Sequence, residues 1–200
     1  MTLFPICETQ QGDVTGYISS NLISMTDGQI YLSSELFYEA VKLAIDVGLS
    51  VSRVGNKVQP PLLRWASGTV RLDLLQYHEL LRLTRVAPAG SEQLAQRQRR
   101  GAILRRVMSQ PVHQPSSLED QTLVLYALQT GWLERLTEEG LALCVSGLSA
   151  RMPPFVHELI REHQPVTAAL RAKLDAALDE LLHPYQRPGV TSHAASEISA

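Results

Sequence analysis

Pro60-Pro61-Leu62-Leu63-Arg64-Trp65-Ala66-Ser67-Gly68-Thr69-Val70-Arg71-Leu72-Asp73-Leu74-Leu75-Gln76-Tyr77-His78-Glu79-Leu80-Leu81 is the segment at which this 200-residue chain changes its hydrophobic period. Leu62, Leu63, Ala66, Val70, Leu74, Tyr77 and Leu81 recur at three- and four-residue spacing, which places them on one helical face. Gly68 is the weak point of that helix, because glycine gives up more backbone freedom there than any other residue. On the C-terminal side the helical period persists. Val86-Ala87-Pro88-Ala89-Gly90 breaks it, and a helix opening at Ser91 or Glu92 runs to about Met108. Gln110-Pro111-Val112-His113-Gln114-Pro115 is a loop, and Ser116-Ser117-Leu118-Glu119 forms a capping box for a helix that continues to Gly131. Further helices are expected over 138–148, 154–163 and 167–182. Thr167 is the N-cap of the last, and Pro184 and Pro188 close it. Residues 189–200 read as a disordered tail.

On the N-terminal side the pattern shortens. Leu22-Ile23-Ser24-Met25 and Ile30-Tyr31-Leu32 flank an Asp27-Gly28 pair, a turn signal in which Gly28 tolerates positive φ. Ser33-Ser34-Glu35 starts a capped helix, and the run from Ile45 to Ser52 is strand-like. The expected architecture is therefore α/β over residues 1–59 and all-α over 60–188.

Composition narrows the function classes. Eighteen basic and twenty acidic residues leave a net charge of −2, which gives no reason to expect nucleic acid or an anionic membrane as partner. Cys7 and Cys144 are far apart and belong to no C-x-x-C pair, so neither a disulfide framework nor structural zinc is indicated. No apolar run approaches ~18 residues. His157 and His163 are six apart and do not share a helical face, so no metal is expected. Ser149 lacks the second glycine of a nucleophile elbow. Arg97, Arg99, Arg100, Arg105 and Arg106 scatter around a helix axis and read as a solvated or interface-facing cluster, and Trp65 and Trp132 read as core. There is no phosphate-cradling G-x-x-x-x-G-K-[ST] loop, and Gly55-Asn56-Lys57 does not supply one.

Several blocks in order carry a resemblance. They are Glu8-Thr9-Gln10-Gln11-Gly12-Asp13-Val14, Ile23-Ser24-Met25-Thr26-Asp27-Gly28-Gln29-Ile30 and Val47-Gly48-Leu49-Ser50-Val51-Ser52-Arg53-Val54-Gly55, followed by Gly68-Thr69-Val70-Arg71-Leu72-Asp73-Leu74-Leu75-Gln76-Tyr77, Arg100-Gly101 and Glu119-Asp120-Gln121. Together they resemble the alpha subunit of F-type rotary ATP synthases over residues 1 to about 136, and more loosely beyond. The resemblance implies the C-terminal part of a RecA-like nucleotide-binding domain over 1–59, without its P-loop half, then a C-terminal helical-bundle domain over 60–188. It implies alternation with beta subunits around a gamma shaft, with catalytic sites at the alpha–beta interfaces. Arg53 matches the arginine that alpha extends to the nucleotide held by beta, and Ser24 and Ser52 match polar positions near the same interface. Gln110 matches a glutamine beside the adenine of alpha's own non-catalytic nucleotide, with Val112 where a second glutamine is common. The segment Arg85–Glu92 departs from the family's aromatic and acidic turn, and the chain diverges after Trp132, which suggests an alternative form of the enzyme.

The leading expectation is a truncated, non-catalytic alpha-type subunit contributing to ATP synthesis coupled to proton or sodium transport. ATP or ADP with Mg would sit only at the intersubunit site of the assembled complex, with none bound by the isolated chain. Beta, gamma and other complex subunits would be its partners. Its location would be cytoplasmic, peripheral on a bacterial-type inner membrane through the complex. A stand-alone helical interaction module and a degenerate product without ATPase role are the competing readings. Residues 1–57 are expected to fold poorly unless complemented, since a sheet without its neighbours leaves orphaned backbone groups.

Overall fold

A computed structural model describes residues 3–9, 12–38, 44–84, 92–110, 113–162 and 164–187. Two compact units divide it: residues 1–59 with 108–114, and 60–107 with 115–200, each taken over its described residues.

In the first unit the chain forms helix α1 (Tyr17–Met25), strand β1 (Gly28–Gln29), helix α2 (Ser34–Tyr38) and strand β2 (Val51–Ser52). The strands pair antiparallel, Gly28 opposite Ser52 and Gln29 opposite Val51. This is far less strand than the apolar runs suggest. Leu22-Ile23-Ser24-Met25 is helical, because Ile18, Leu22 and Met25 repeat at helical spacing and Asp13 Oδ1 turns the preceding chain by accepting from Thr15 N at 2.8 Å. In the run from Ile45, Asp46 Oδ1 accepts from Gly48 N at 2.8 Å and Leu49 N at 3.0 Å. That side-chain turn competes with a ladder and shortens the strand to two residues. Gly28 does not take positive φ either. It is needed for proximity: a Cβ there would lie 2.5 Å from the Val51 carbonyl oxygen.

Ala44 is the buried apolar side chain of this unit among the described residues. Phe4, Ile6, Tyr17, Ile18, Phe37 and Tyr38 are exposed, Ile6 at 98%.

The second unit carries the core. The expected helix over 61–81 is interrupted at Ser67-Gly68-Thr69 into α3 (Pro61–Ala66) and α4 (Val70–Thr84), and Leu62, Leu63, Ala66, Val70, Leu74 and Tyr77 are all buried. Helix α5 (Glu92–Met108) follows, then α6 (Leu118–Gln129), α7 (Glu138–Val145), α8 (Pro154–Arg161) and α9 (Ala168–Leu182). Helix α6 packs on α3, with the Trp65 and Tyr126 rings 5.6 Å apart, and it also meets α8. Tyr126, Leu123, Leu128, Leu133, Leu148, Val156, Ile160, Leu174, Leu178 and Leu182 are almost wholly enclosed. The Thr167 cap forms as expected, its side chain accepting from Leu170 N at 3.2 Å. Pro184 lies in a 3-10 turn at His183–Tyr185 that ends α9, while Pro188 and the tail fall outside the described residues.

The cap of α6 is shifted by one residue from the expected box. Ser117, not Ser116, is the N-cap, and its Oγ accepts from Asp120 N at 3.0 Å and donates to Asp120 Oδ2 at 2.7 Å. Asp120 wins over Glu119 because its shorter side chain also reaches Ser149, whose N–H donates to Oδ1 at 2.7 Å. Burial pushes the Asp120 carboxyl upward, but the hydrogen bonds from Ser149 and Ser117 outweigh it and hold the group below the usual carboxylate range. A lowered folded value stabilises above the unfolded pKa of ~3.9 and loses that contribution as pH falls from there through the folded value. Asp120→Ala is therefore expected to cost about 1–2 kcal/mol at neutral pH and to flatten the loss of stability below about pH 4. Thermal melts of both proteins from pH 7 to 3 check this, and parallel acid limbs would contradict it.

Polar bridges tie the helices. Arg100 on α5 donates to Asp73 of α4 at 3.0 Å and to Glu134, beyond α6, at 2.9 Å. Burial works against this guanidinium, but its bonds to Glu134 and Asp73 more than compensate. Asp175 on α9 accepts from Tyr126 Oη at 3.1 Å and Trp132 Nε1 at 3.2 Å. Burial, followed by the Asp175 charge, pushes the Tyr126 hydroxyl up, so it remains a donor.

Candidate functional site

The antiparallel ribbon positions the predicted site. Main-chain and side-chain bonds fix its return loop: Asp46 N donates to Tyr31 O at 2.9 Å, Ser50 Oγ to Asp46 O at 2.6 Å, Gln29 Nε2 to Leu49 O at 3.1 Å, and Tyr31 N to Ser50 Oγ at 3.0 Å. Arg53 follows β2 directly. Its N–H donates to Asp27 O at 2.8 Å, extending the ribbon by one rung. Gly55 then turns the chain with φ +57°, where an L side chain is strained, into a 3-10 turn at Gly55–Val58. Ser52 Oγ accepts from Gly55 N at 3.1 Å and locks that turn. The Arg53 backbone is held on both sides while its side chain stands exposed, with no carboxylate partner among the described residues.

Ser24 lies in α1, exposed, its Oγ donating to Asn21 O at 2.8 Å. It precedes by four residues Gly28, the register partner of Ser52, and makes no hydrogen bond to Ser52 or Arg53 among the described residues. Gln110 belongs to the segment of this unit after α5, and its Nε2 donates to Gln114 O at 2.8 Å. It makes no hydrogen bond to Ser24, Ser52 or Arg53 among the described residues. Val112 and most of the divergent segment, residues 85–91, lie outside the described residues.

The chemistry available is that of a planar cation fixed at its root and free at its tip. Such a group can contact the oxygens of a phosphate held by another molecule. No cluster of three or more His, Cys, Asp and Glu that could hold a metal occurs among the described residues, and His163 is not among them. Cys144 is a poor nucleophile: burial pushes its thiol up to about 12, and the charge of Arg151 offsets only part of that. Ser149 begins a 3-10 turn at Ser149–Arg151, with its N–H committed to Asp120.

Of the α5 arginines, which the sequence reads as solvated or interface-facing, Arg100 and Arg106 instead tie α5 to neighbouring elements. Arg100 bridges Asp73 and Glu134, and Arg106 pairs with Glu138. Only the contacts between helices reveal this, because the pairs are 27 to 34 residues apart. Arg97, Arg99 and Arg105 are exposed.

Residues 59–181 match the family model described as ATP synthase alpha/beta chain, C terminal domain, and residues 1–52 match that of the ATP synthase alpha/beta family, nucleotide-binding domain. The chain is 40% identical over 179 residues to the ATP synthase subunit alpha of Latilactobacillus sakei, covering 89% of this chain and 35% of the relative. It is 38% identical over 194 residues to that of Lactiplantibacillus plantarum, covering 93% and 37%. For Caldanaerobacter subterraneus the identity is 36% over 192 residues, covering 94% and 38%. The chain thus spans a little over a third of the length of these relatives. With both family models matched in order, and the C-terminal one covering more than half of its residues, this chain belongs to the ATP synthase alpha/beta family.

Proposed function

We propose that the chain acts as an alpha-type, non-catalytic subunit of an F-type ATP synthase. In this reading it corresponds to the end of a RecA-like nucleotide-binding domain and the C-terminal helical-bundle domain. The observation that carries the reading is Arg53: a guanidinium rooted in a hydrogen-bonded strand end, exposed and unpaired among the described residues, within a chain of this family. It would be lent to a nucleotide held by a beta subunit. Phosphoryl transfer spreads negative charge over the equatorial oxygens, and a preorganised cation stabilises that charge without acting as a base. Ser52 holds the turn that follows Arg53, while Ser24 and Gln110 would be polar neighbours of nucleotide in the assembled complex. ATP or ADP with Mg would be held at the intersubunit site only in the assembled complex, and the isolated chain would bind neither tightly.

The exposed apolar side chains of the first unit support an assembled state, because soluble monomers rarely leave such surface uncovered. Beta, gamma and the other subunits of the complex are the proposed partners. Among the described residues no helix is long and apolar enough to cross a membrane. A peripheral cytoplasmic position on a bacterial-type inner membrane, reached through the complex, follows from the proposal.

One observation favours a second reading. The second unit has a core of its own and the first has almost none, which is what a stand-alone helical interaction module would need. Co-expression with beta and gamma subunits separates the two. The tagged chain is expected to retain both through affinity and size-exclusion steps, and recovery of the chain free of both would favour the module.

A further inference from the structure

The second unit carries an open groove of about 670 Å³ bounded by α5, the turn after α6, the start of α7 and the end of the described residues. Arg99, Arg135 and Arg187 line it, with Glu134 and Glu138. Both carboxylates are already neutralised by arginines that do not line the groove: Arg100 holds Glu134 at 2.9 Å, and Arg106 holds Glu138. The three lining guanidiniums have no carboxylate partner among the described residues. Arg135 lies 5.6 Å from the centroid of the Trp132 ring, which fixes its plane. Arg187 donates through Nε to the Leu136 carbonyl at 2.8 Å, which leaves its two terminal nitrogens available. Leu141, itself buried, contributes an apolar wall.

We propose that this groove binds a small anion carrying two or more oxyanion groups, a tricarboxylate or a polyphosphate. The groove admits such a ligand together with bridging water. Forked guanidiniums match carboxylate and phosphate geometry alike. No aromatic side chain lines the groove, so a nucleobase has nothing to stack on, and the ligand class excludes nucleotides. The site is independent of Arg53, and nothing in the role proposed for that residue requires it.

The test is calorimetric titration of the full-length chain at fixed ionic strength with two probes, citrate and pyrophosphate. Saturable one-to-one binding is expected with at least one of them, and whichever binds assigns the carboxylate or the phosphate source. Arg99→Ala and Arg187→Lys should each weaken it by about tenfold or more. Arg97→Ala, on the same helix but outside the groove, should leave it unchanged. Arg99 is exposed and unpaired among the described residues, so its loss should not unfold the chain. Absence of binding by both probes to roughly 10 mM, an affinity too weak to count as a site, would overturn the proposal. So would an affinity that Arg99→Ala leaves unaltered.

Discussion

Arg53→Ala in the assembled complex should reduce ATP turnover by three to five orders of magnitude, on the order of the 10³–10⁵ that an arginine supplied in trans contributes to phosphoryl transfer. Assembly should survive, because the substitution removes an exposed side chain with no partner among the described residues, while the Arg53 N–H to Asp27 bond is untouched. Arg53→Lys should fall between the two. Lysine keeps the charge but replaces the planar fork with a point charge on a flexible stem. Steady-state hydrolysis by purified complex, with subunit stoichiometry measured on the same preparation, provides the check. Turnover within a few-fold of the wild type would leave Arg53 as an ordinary surface cation.

The second prediction concerns stability. Gly101→Val should destabilise the helical unit by about 3 kcal/mol or more, and Gly101→Ala by about 1–3 kcal/mol. Gly101 sits in the middle of α5, where alanine would ordinarily improve helix propensity by about 1 kcal/mol. Here a Cβ would run into the Tyr77 ring and lie 2.7 Å from the Tyr77 Cβ. Tyr77 is buried on α4 and cannot swing into water. The contact thus sets how closely α4 and α5 approach, and the expected sign is the reverse of the propensity. Urea denaturation of each variant measures it, and repeating Gly101→Ala in a Tyr77→Ala background should recover most of the loss. A stabilised Gly101→Ala would show that the two helices part readily.

What the sequence discloses follows the range of the interactions involved. The period of Leu62, Leu63, Ala66, Val70, Leu74, Tyr77 and Leu81 marks a buried face; the first six are buried and Leu81 is half-buried. Thr167 signals its own helix start because a cap acts over three residues. Local patterns fail where a side chain makes a choice settled elsewhere. Asp120 takes the cap of α6 because it also reaches Ser149, twenty-nine residues away. The two-stranded ribbon is shorter in structure than the apolar runs suggest: Asp46 folds its own carboxylate onto the backbone, a competition no hydropathy pattern shows. The setting of Arg53 is legible only through the run Ser50-Val51-Ser52-Arg53-Val54-Gly55, as an isolated arginine carries no such signal. The groove between α5 and Arg187 is invisible in sequence, since its three arginines are spread over nearly ninety residues.

The uncovered Phe4, Ile6, Phe37 and Tyr38 also bear on how the cell must handle this polypeptide. Copies made in excess of whatever shields that lobe would cohere with one another or be captured by chaperones and destroyed. Under the proposed assembly, synthesis in step with the subunits that cover this surface would limit that loss.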